Sequence, residues 1–206
     1  MIIITSLTKA EEKIISFFIE NPLNEFGIRE VSRKANIGYR HAHAIIQKLV
    51  KKGALLKKRQ ANVDFCSLNL QGDFAEVCFV EKLKAREFME KYRPVRDFLN
   101  EVRSKTKHIY YSIIVFGSFA KGKETKNSDL DILVIAPEKS VAEEIERIIN
   151  AESVTVAAGI HAIAISESDF IANLADKKPN VVIEAFKSHI IITGAESFYN
   201  GVRIAL

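Results

Sequence analysis

Residues 113–136 read IIVFGSFAKGKETKNSDLDILVIA, and the fold turns on how this stretch is parsed. The apolar run Ile113 to Phe116 stops at Gly117-Ser118, and a second run, Ile132 to Ile135, is opened by Asp129-Leu130-Asp131. Short apolar runs bounded by Gly, Asn and Ser read as strands, so the segment is strand, loop, strand. Side chains alternate along a strand, which places Asp129 and Asp131 on one face and Leu130 on the other. Adjacent carboxylates either raise one another's pKa or share a cation. Hard oxygen ligands of this kind suit Mg²⁺, which keeps water and phosphate oxygens in its other positions. Gly117 lets backbone N–H groups approach an anion, Ser118 adds a hydroxyl, and Lys121, Lys123 and Lys126 make the connection positive. Each half of the pattern is common alone; the combination predicts a metal-bound nucleotide held between two strand ends.

The same residues carry a resemblance. Gly117-Ser118, Ala120-Lys121-Gly122 and Ser128-Asp129-Leu130-Asp131-Ile132-Leu133-Val134 resemble the signature of DNA polymerase beta-like nucleotidyltransferases, in particular their small prokaryotic minimal branch. The resemblance implies a mixed sheet flanked by helices and transfer of a nucleoside monophosphate from a nucleoside triphosphate, with ATP as the expected donor, to an unknown acceptor. It implies Asp129 and Asp131 as catalytic carboxylates and Mg²⁺ ligands, with Gly117, Ser118 and Lys121 on the nucleotide. Members of that branch act on proteins or small molecules, and some are antitoxins paired with a small helical toxin, so a protein acceptor or toxin is an implied partner.

Outward from this stretch, composition sets bounds. The chain has 206 residues, 48% hydrophobic and 27% charged, which is ordinary for a globular protein of one large or two small domains. The leading MIIITSLT lacks the positive start and apolar length of a signal peptide. No run approaches the roughly 20 apolar residues of a spanning helix, so no membrane partner is expected. Cys66 and Cys78 are too few for a disulfide framework or a four-ligand zinc site; both read as reduced packing residues of a cytoplasmic protein. The net charge of +4 hides a gradient: residues 1–70 hold twelve Lys and Arg against six Asp and Glu, and residues 109–206 hold nine against thirteen. The basic first third is the part suited to a polyanion.

Toward the N-terminus, Thr8 and Glu11 form a capping-box pattern for a helix to about Glu20, with Ile14, Ile15, Phe18 and Ile19 as its apolar stripe. A second helix spans about Gly27 to Lys34, a turn follows at Asn36-Ile37-Gly38, and a third helix runs from Tyr39 to about Lys52. Ala54 to Arg59 and Val63 to Leu68 alternate about Gln60-Ala61-Asn62 as a hairpin. The segment REVSRKANIGYRHAHAIIQKLVKKG within this order resembles a winged helix-turn-helix. The resemblance implies DNA as partner, read by Tyr39, Arg40, His41, His43 and Gln47 on the third helix, with Lys57, Lys58 and Arg59 on the wing meeting phosphates. Such modules also serve protein contacts, so packing or a homodimer is the alternative use.

The expected organisation is α+β: a winged helix-turn-helix over 1–70, a helical spacer over 71–108 restarted by Pro94, and a nucleotidyltransferase-like domain over 109–206. Beyond the signature strands, the pattern predicts a helix capped by Ser140, strands Ser153 to Ala157 and Ile160 to Ile165, a helix Glu167 to Leu174, a strand Ile190 to Thr193 and a last helix from Ala195. The resemblance implies a third carboxylate on the strand Ile160 to Ile165. That strand has no acid, and His161 and Glu152 are the nearest substitutes. Two functions follow as expectations: a Mg²⁺-dependent nucleotidyltransferase carrying a DNA-binding module, or a transcriptional regulator that senses a nucleotide with little or no catalysis.

Overall fold

The computed structural model of the chain describes residues 7–155 and 159–206. The opening residues read for a leader, and Val156, Ala157 and Ala158 of the expected strand and turn, lie outside the described residues. The chain divides into two compact units, residues 1–81 and 82–206.

In the first unit, helix α1 (Lys9–Ile19) starts at the predicted capping box. Thr8 Oγ1 accepts from the Glu11 N–H, and Glu11 Oε2 accepts from the Thr8 N–H at 2.7 Å. Glu11 is buried, and Lys48 lies 2.6 Å from its Oε1. Burial alone would raise the Glu11 pKa; hydrogen bonds from Lys48 and Thr8 outweigh it and hold the carboxyl below its ordinary value of 4.5. Helix α2 (Ile28–Lys34) and helix α3 (Tyr39–Lys51) flank a turn in which Ser32 Oγ donates to the Ile37 carbonyl at 2.7 Å and Asn36 takes a left-handed φ of 53°, a conformation Asn tolerates. Ala42, Ile45, Ile46 and Leu49 form the buried stripe of α3. A two-residue strand β1 (Phe26–Gly27), too short to show as a pattern, joins β2 (Leu55–Gln60) and β3 (Val63–Leu68) in an antiparallel sheet of order β1-β3-β2.

Helix α4 (Ala75–Lys91) begins in the first unit, where Lys52 pairs with Glu76 at 2.7 Å, and ends in the second. The helical stretch that reads as a spacer is therefore shared between the units. Helix α5 (Arg93–Lys105), with Pro94 in its first turn, buries the four residues its periodicity selects, Val95, Phe98, Leu99 and Val102. They join a core with Ile113, Val115, Leu130, Ile132 and Val134, against one face of the second unit's sheet.

That sheet is four-stranded and mixed, in the order β6-β5-β4-β7. Strand β4 (Ser112–Phe116) pairs antiparallel with β5 (Leu130–Ala136) and with β7 (Ile190–Thr193), while β6 (Ile160–Ser166) runs parallel to β5. β5 is covered on both faces, and every residue from Ile132 to Ala136 is buried, so it reads as a continuous apolar run. The chain from β5 to β6 passes through α7 (Lys139–Glu152), and α8 (Glu167–Ala175), α9 (Val181–Lys187) and α10 (Ala195–Ala205) complete the unit. Ser166 closes a capping box on α8 with Asp169.

Three expectations are corrected. Ser140 does not cap α7: Glu138 is the N-cap, without a side-chain cap bond. Ser153–Thr155 is a single 3-10 turn, not a strand, and continues directly from the end of α7. Gly117-Ser118 opens a short helix, α6 (Gly117–Ala120), where a loop was expected, because the positive φ of Gly117 turns the chain sharply out of β4. Cys66 is buried and Cys78 half-buried. Burial, followed by the nearby Asp64 charge, pushes the Cys66 thiol up to about 11, which keeps it protonated and inert. Among the described residues no helix is long and apolar enough to cross a membrane.

Replacing Glu11 by Ala removes the reciprocal cap and leaves Lys48 without its partner. A loss of about 2–3 kcal/mol is expected, read as a lower urea midpoint at unchanged slope. Because Glu11 titrates below 4.5 when folded, its contribution is present above that pH and lost as pH falls through the lowered value. Stability of the Ala variant should lack that part of the acid dependence.

Candidate active site

The two carboxylates stand where the buried strand β5 meets solvent. Asp129 lies one residue before the strand and is exposed; Asp131 is its second residue, with 28% of its side chain exposed. Register places Asp131 opposite Phe116 on β4 and opposite His161 on β6. The neighbouring strands present a glycine to each carboxylate. A Cβ built on Gly117 would overlap Oδ2 of Asp131, and one built on Gly159 would overlap Oδ1 of Asp129. Gly159 is also tied to the strand mouth, since its carbonyl accepts from the Leu130 N–H at 2.7 Å. Two acidic side chains thus fit side by side only because both flanking chains lack a side chain at the point of contact.

The connection between the strands is folded back on α6. Lys121 N–H donates to the Gly117 carbonyl at 3.3 Å, Gly122 N–H to Phe119 at 3.2 Å, and Lys123 N–H to Ser118 at 3.0 Å. Ser118 is therefore half-buried at the turn, while Lys121, Lys123 and Lys126 are exposed. A second turn, closed by Ser128 N–H on the Thr125 carbonyl at 3.1 Å and Thr125 N–H on Ser128 Oγ at 2.9 Å, leads into Asp129. The residues singled out in the sequence, Gly117, Ser118, Lys121, Asp129 and Asp131, are assembled at this one end of the sheet.

Glu152 lies at the end of a helix. It pairs with Lys105 at 2.7 Å, and Ser153–Thr155 after it form a helical turn. His161 is at the site: its Nδ1 lies 3.4 Å from Asp131 Oδ1, and 63% of its side chain is exposed. Among the described residues no group of three or more His, Cys, Asp or Glu is arranged to hold a metal ion. The protein side offers two carboxylates, so a Mg²⁺ here would depend on water or phosphate oxygens for most of its ligands, the usual pattern for that ion. The donor chemistry and the glycine-lined cradle fit a nucleotide-bridged ion.

One residue escaped the sequence reading. Glu124, in the middle of the lysine loop, accepts a short hydrogen bond from the Tyr92 hydroxyl, and Lys91 lies 3.4 Å from the same oxygen. The Tyr92 and Lys91 contacts hold the Glu124 carboxyl below its ordinary value, and burial followed by the Glu124 contact raises the Tyr92 phenol, which stays protonated as donor. Nothing in the local pattern marks this pair, which is separated by 32 residues.

In the first unit, Tyr39, Arg40 and His41 are exposed at the start of α3, and His43 and Gln47 are half-buried beside them. Arg29 of α2 sits over the Tyr39 ring at 5.9 Å. Lys57, Lys58 and Arg59 lie along β2 and not at the hairpin tip, so alternation separates Lys58 from the other two, and Lys57 is 3.5 Å from Asp64.

Residues 95–192 match the family model of the nucleotidyltransferase domain. Over 47 residues the chain is 38% identical to a protein of Methanocaldococcus jannaschii named "Putative protein adenylyltransferase"; the match covers 23% of this chain and 47% of that relative. The chain thus spans about half the length of the curated relative it matches. No solved structure matches the chain. The four-stranded mixed sheet with helices on it is consistent with a nucleotidyltransferase fold.

A Gly117→Ala substitution tests the cradle directly. It forces a left-handed φ of 69° on a residue with a Cβ and drives that atom into Asp131. A cost of about 1–3 kcal/mol is expected, visible as a lower melting temperature, whereas Gly122→Ala, where the built Cβ meets nothing within 4 Å, should cost only the backbone strain of its φ of 62°.

Proposed function

We propose that the second unit transfers a nucleoside monophosphate, with ATP as donor, to a hydroxyl-bearing acceptor, and that the first unit is a winged helix that binds DNA. The observation that carries the first part is the carboxylate pair at the mouth of β5, backed by Gly117 and Gly159, within a segment that matches the nucleotidyltransferase family model. The relative's name, which describes a protein adenylyltransferase, supports AMP as the transferred group and a protein side chain as the acceptor.

Asp129 and Asp131 would hold Mg²⁺, which when bound neutralises phosphate charge and orients the leaving group. The residues around them do the rest. The Gly117-Ser118 turn directs its hydroxyl and backbone donors to phosphate oxygens, and Lys121 adds a positive charge from the C-terminal end of α6. The acceptor oxygen attacks the α-phosphorus, the bond to the β-phosphate oxygen breaks, pyrophosphate departs, and the hydroxyl proton passes to the solvent that reaches Asp129. Backbone donors fixed before reaction act without reorganisation cost, the source of most electrostatic catalysis.

A second reading has its own observation: His161, not an acid, stands opposite Asp131. With two carboxylates a nucleotide binds, and the chain then acts as a regulator whose DNA binding responds to the nucleotide. Incubation with α-labelled ATP, Mg²⁺ and cell extract separates the two. Transfer predicts labelled acceptor that falls at least ~100-fold in the D129N/D131N variant; equal labelling by both proteins overturns the enzyme. The regulator predicts no label and a nucleotide-dependent shift in duplex DNA affinity.

The DNA arm is tested by salt. Affinity for duplex should fall steeply with salt concentration, and the Lys57→Ala/Lys58→Ala/Arg59→Ala variant should flatten that dependence by roughly 0.9 in log–log slope for each phosphate contact removed. A chain without affinity at low salt does not use this module for DNA.

A further inference from the structure

The loop 121–128 poses an electrostatic puzzle. It carries Lys121, Lys123 and Lys126, suited to phosphates, yet Glu124 stands among them. A carboxylate free in that loop would weaken the field the lysines create. Glu124 is instead covered: 20% of its side chain is exposed, and of loop 121–128 only Ser128 is also half-buried, while Lys121, Gly122, Lys123, Thr125, Lys126 and Asn127 are exposed. Its Oε1 is engaged by Tyr92 and Lys91, and its Oε2 is buried with no hydrogen-bond partner among the described residues. Burying a carboxylate oxygen without a partner is costly, so its placement calls for a compensating use.

Tyr92 supplies that use. Its ring packs edge-on against Phe119 of α6 at 5.4 Å and lies 4.8 Å from the ring of Phe88 on α4, while Lys91 Nζ sits 4.5 Å over its face. Phe119 directly follows Ser118. One side chain therefore grips both the Gly-Ser helix, through its ring, and the lysine loop, through its hydroxyl. Among the described residues, the backbone hydrogen bonds of 121–128 stay within the loop or return to α6. The Glu124 side chain is what ties the loop to a helix outside it.

We propose that Tyr92 and Glu124 form an anchor that positions the lysine loop over the nucleotide phosphates, so that both are positioning residues for nucleotide binding. The proposal rests on the nucleotide reading of the site given above. Pre-placing the lysines removes an ordering cost that binding would otherwise meet, and the loss of one such hydrogen bond corresponds to about a tenfold change in the population of the ordered loop.

The loop lysines are themselves trypsin sites, which gives a readout independent of any reaction. In full-length protein, Tyr92→Phe keeps the ring stacks and removes the hydroxyl, and Glu124→Ala removes the carboxylate. Both should raise the rate of tryptic cleavage after Lys121, Lys123 and Lys126 about tenfold and weaken ATP·Mg²⁺ binding by calorimetry by a similar factor. Glu124→Gln, which keeps an acceptor for Tyr92, should recover most of both losses. Should Glu124→Ala not fold, Tyr92→Phe carries the test. Unchanged cleavage in Tyr92→Phe overturns the anchor, and faster cleavage with unchanged nucleotide affinity overturns the positioning role. Wild-type protein that takes up no ATP·Mg²⁺ overturns the nucleotide reading and the role with it, while the cleavage rates still decide whether the anchor exists.

Discussion

Two carboxylates two positions apart at the start of a strand repel each other, and the second unit is arranged so that they can coexist at the mouth of β5. β5 is buried on both faces from Ile132 onward, which leaves its N-terminal end as the place where charge can reach water. Even there, side chains on the adjoining strands would crowd the acids. Gly117 on one side and Gly159 on the other remove that obstacle, and the positive φ of Gly117 also diverts the chain into α6, bringing Ser118 and Lys121 to the same end. The Gly-Ser turn, the lysine loop and the parallel pairing of β6 all serve one geometric requirement.

The two units meet their acidic residues differently. In the first, Glu11 is buried but answered on every side by the Thr8 backbone and hydroxyl and by Lys48, so its charge is absorbed into structure and holds α1 to α3. In the second, Asp131 lies 3.4 Å from His161, and among the described residues neither Asp131 nor Asp129 is met by a lysine or arginine. A satisfied buried acid is a structural element, whereas a pair left facing solvent with a shaped space around it has the chemistry to accept a cation.

The residue opposite Asp131 sets the chemical question for this chain. Parallel pairing of β5 with β6 puts His161 where the family resemblance implies a third acid. Glu152, the other substitute in the sequence, ends α7 and pairs with Lys105. On the proposed reading the protein offers a metal two carboxylates, and the rate of transfer becomes the property to be measured.

Much of this was legible along the chain because it obeys short periods. The capping box at Thr8 and Glu11, the stripe of α5, the apolar runs of β4 and β5, and the shared face of Asp129 and Asp131 each follow from residues within one or two turns or along one strand. Over Ser153–Thr155 the expected strand gives way because β-branched Val and Thr favour strands only when a sheet receives them, and these residues instead continue the turn of α7. What the sequence determined by itself was therefore local: which segments are helix or strand, and that the Gly-Ser and Asp-x-Asp elements belong together. The tertiary structure alone decided that Gly159 backs Asp129, that His161 faces Asp131, and that Tyr92 reaches Glu124 across 32 residues. Those are pairings between distant segments, set by strand order and helix packing, and no local periodicity encodes them.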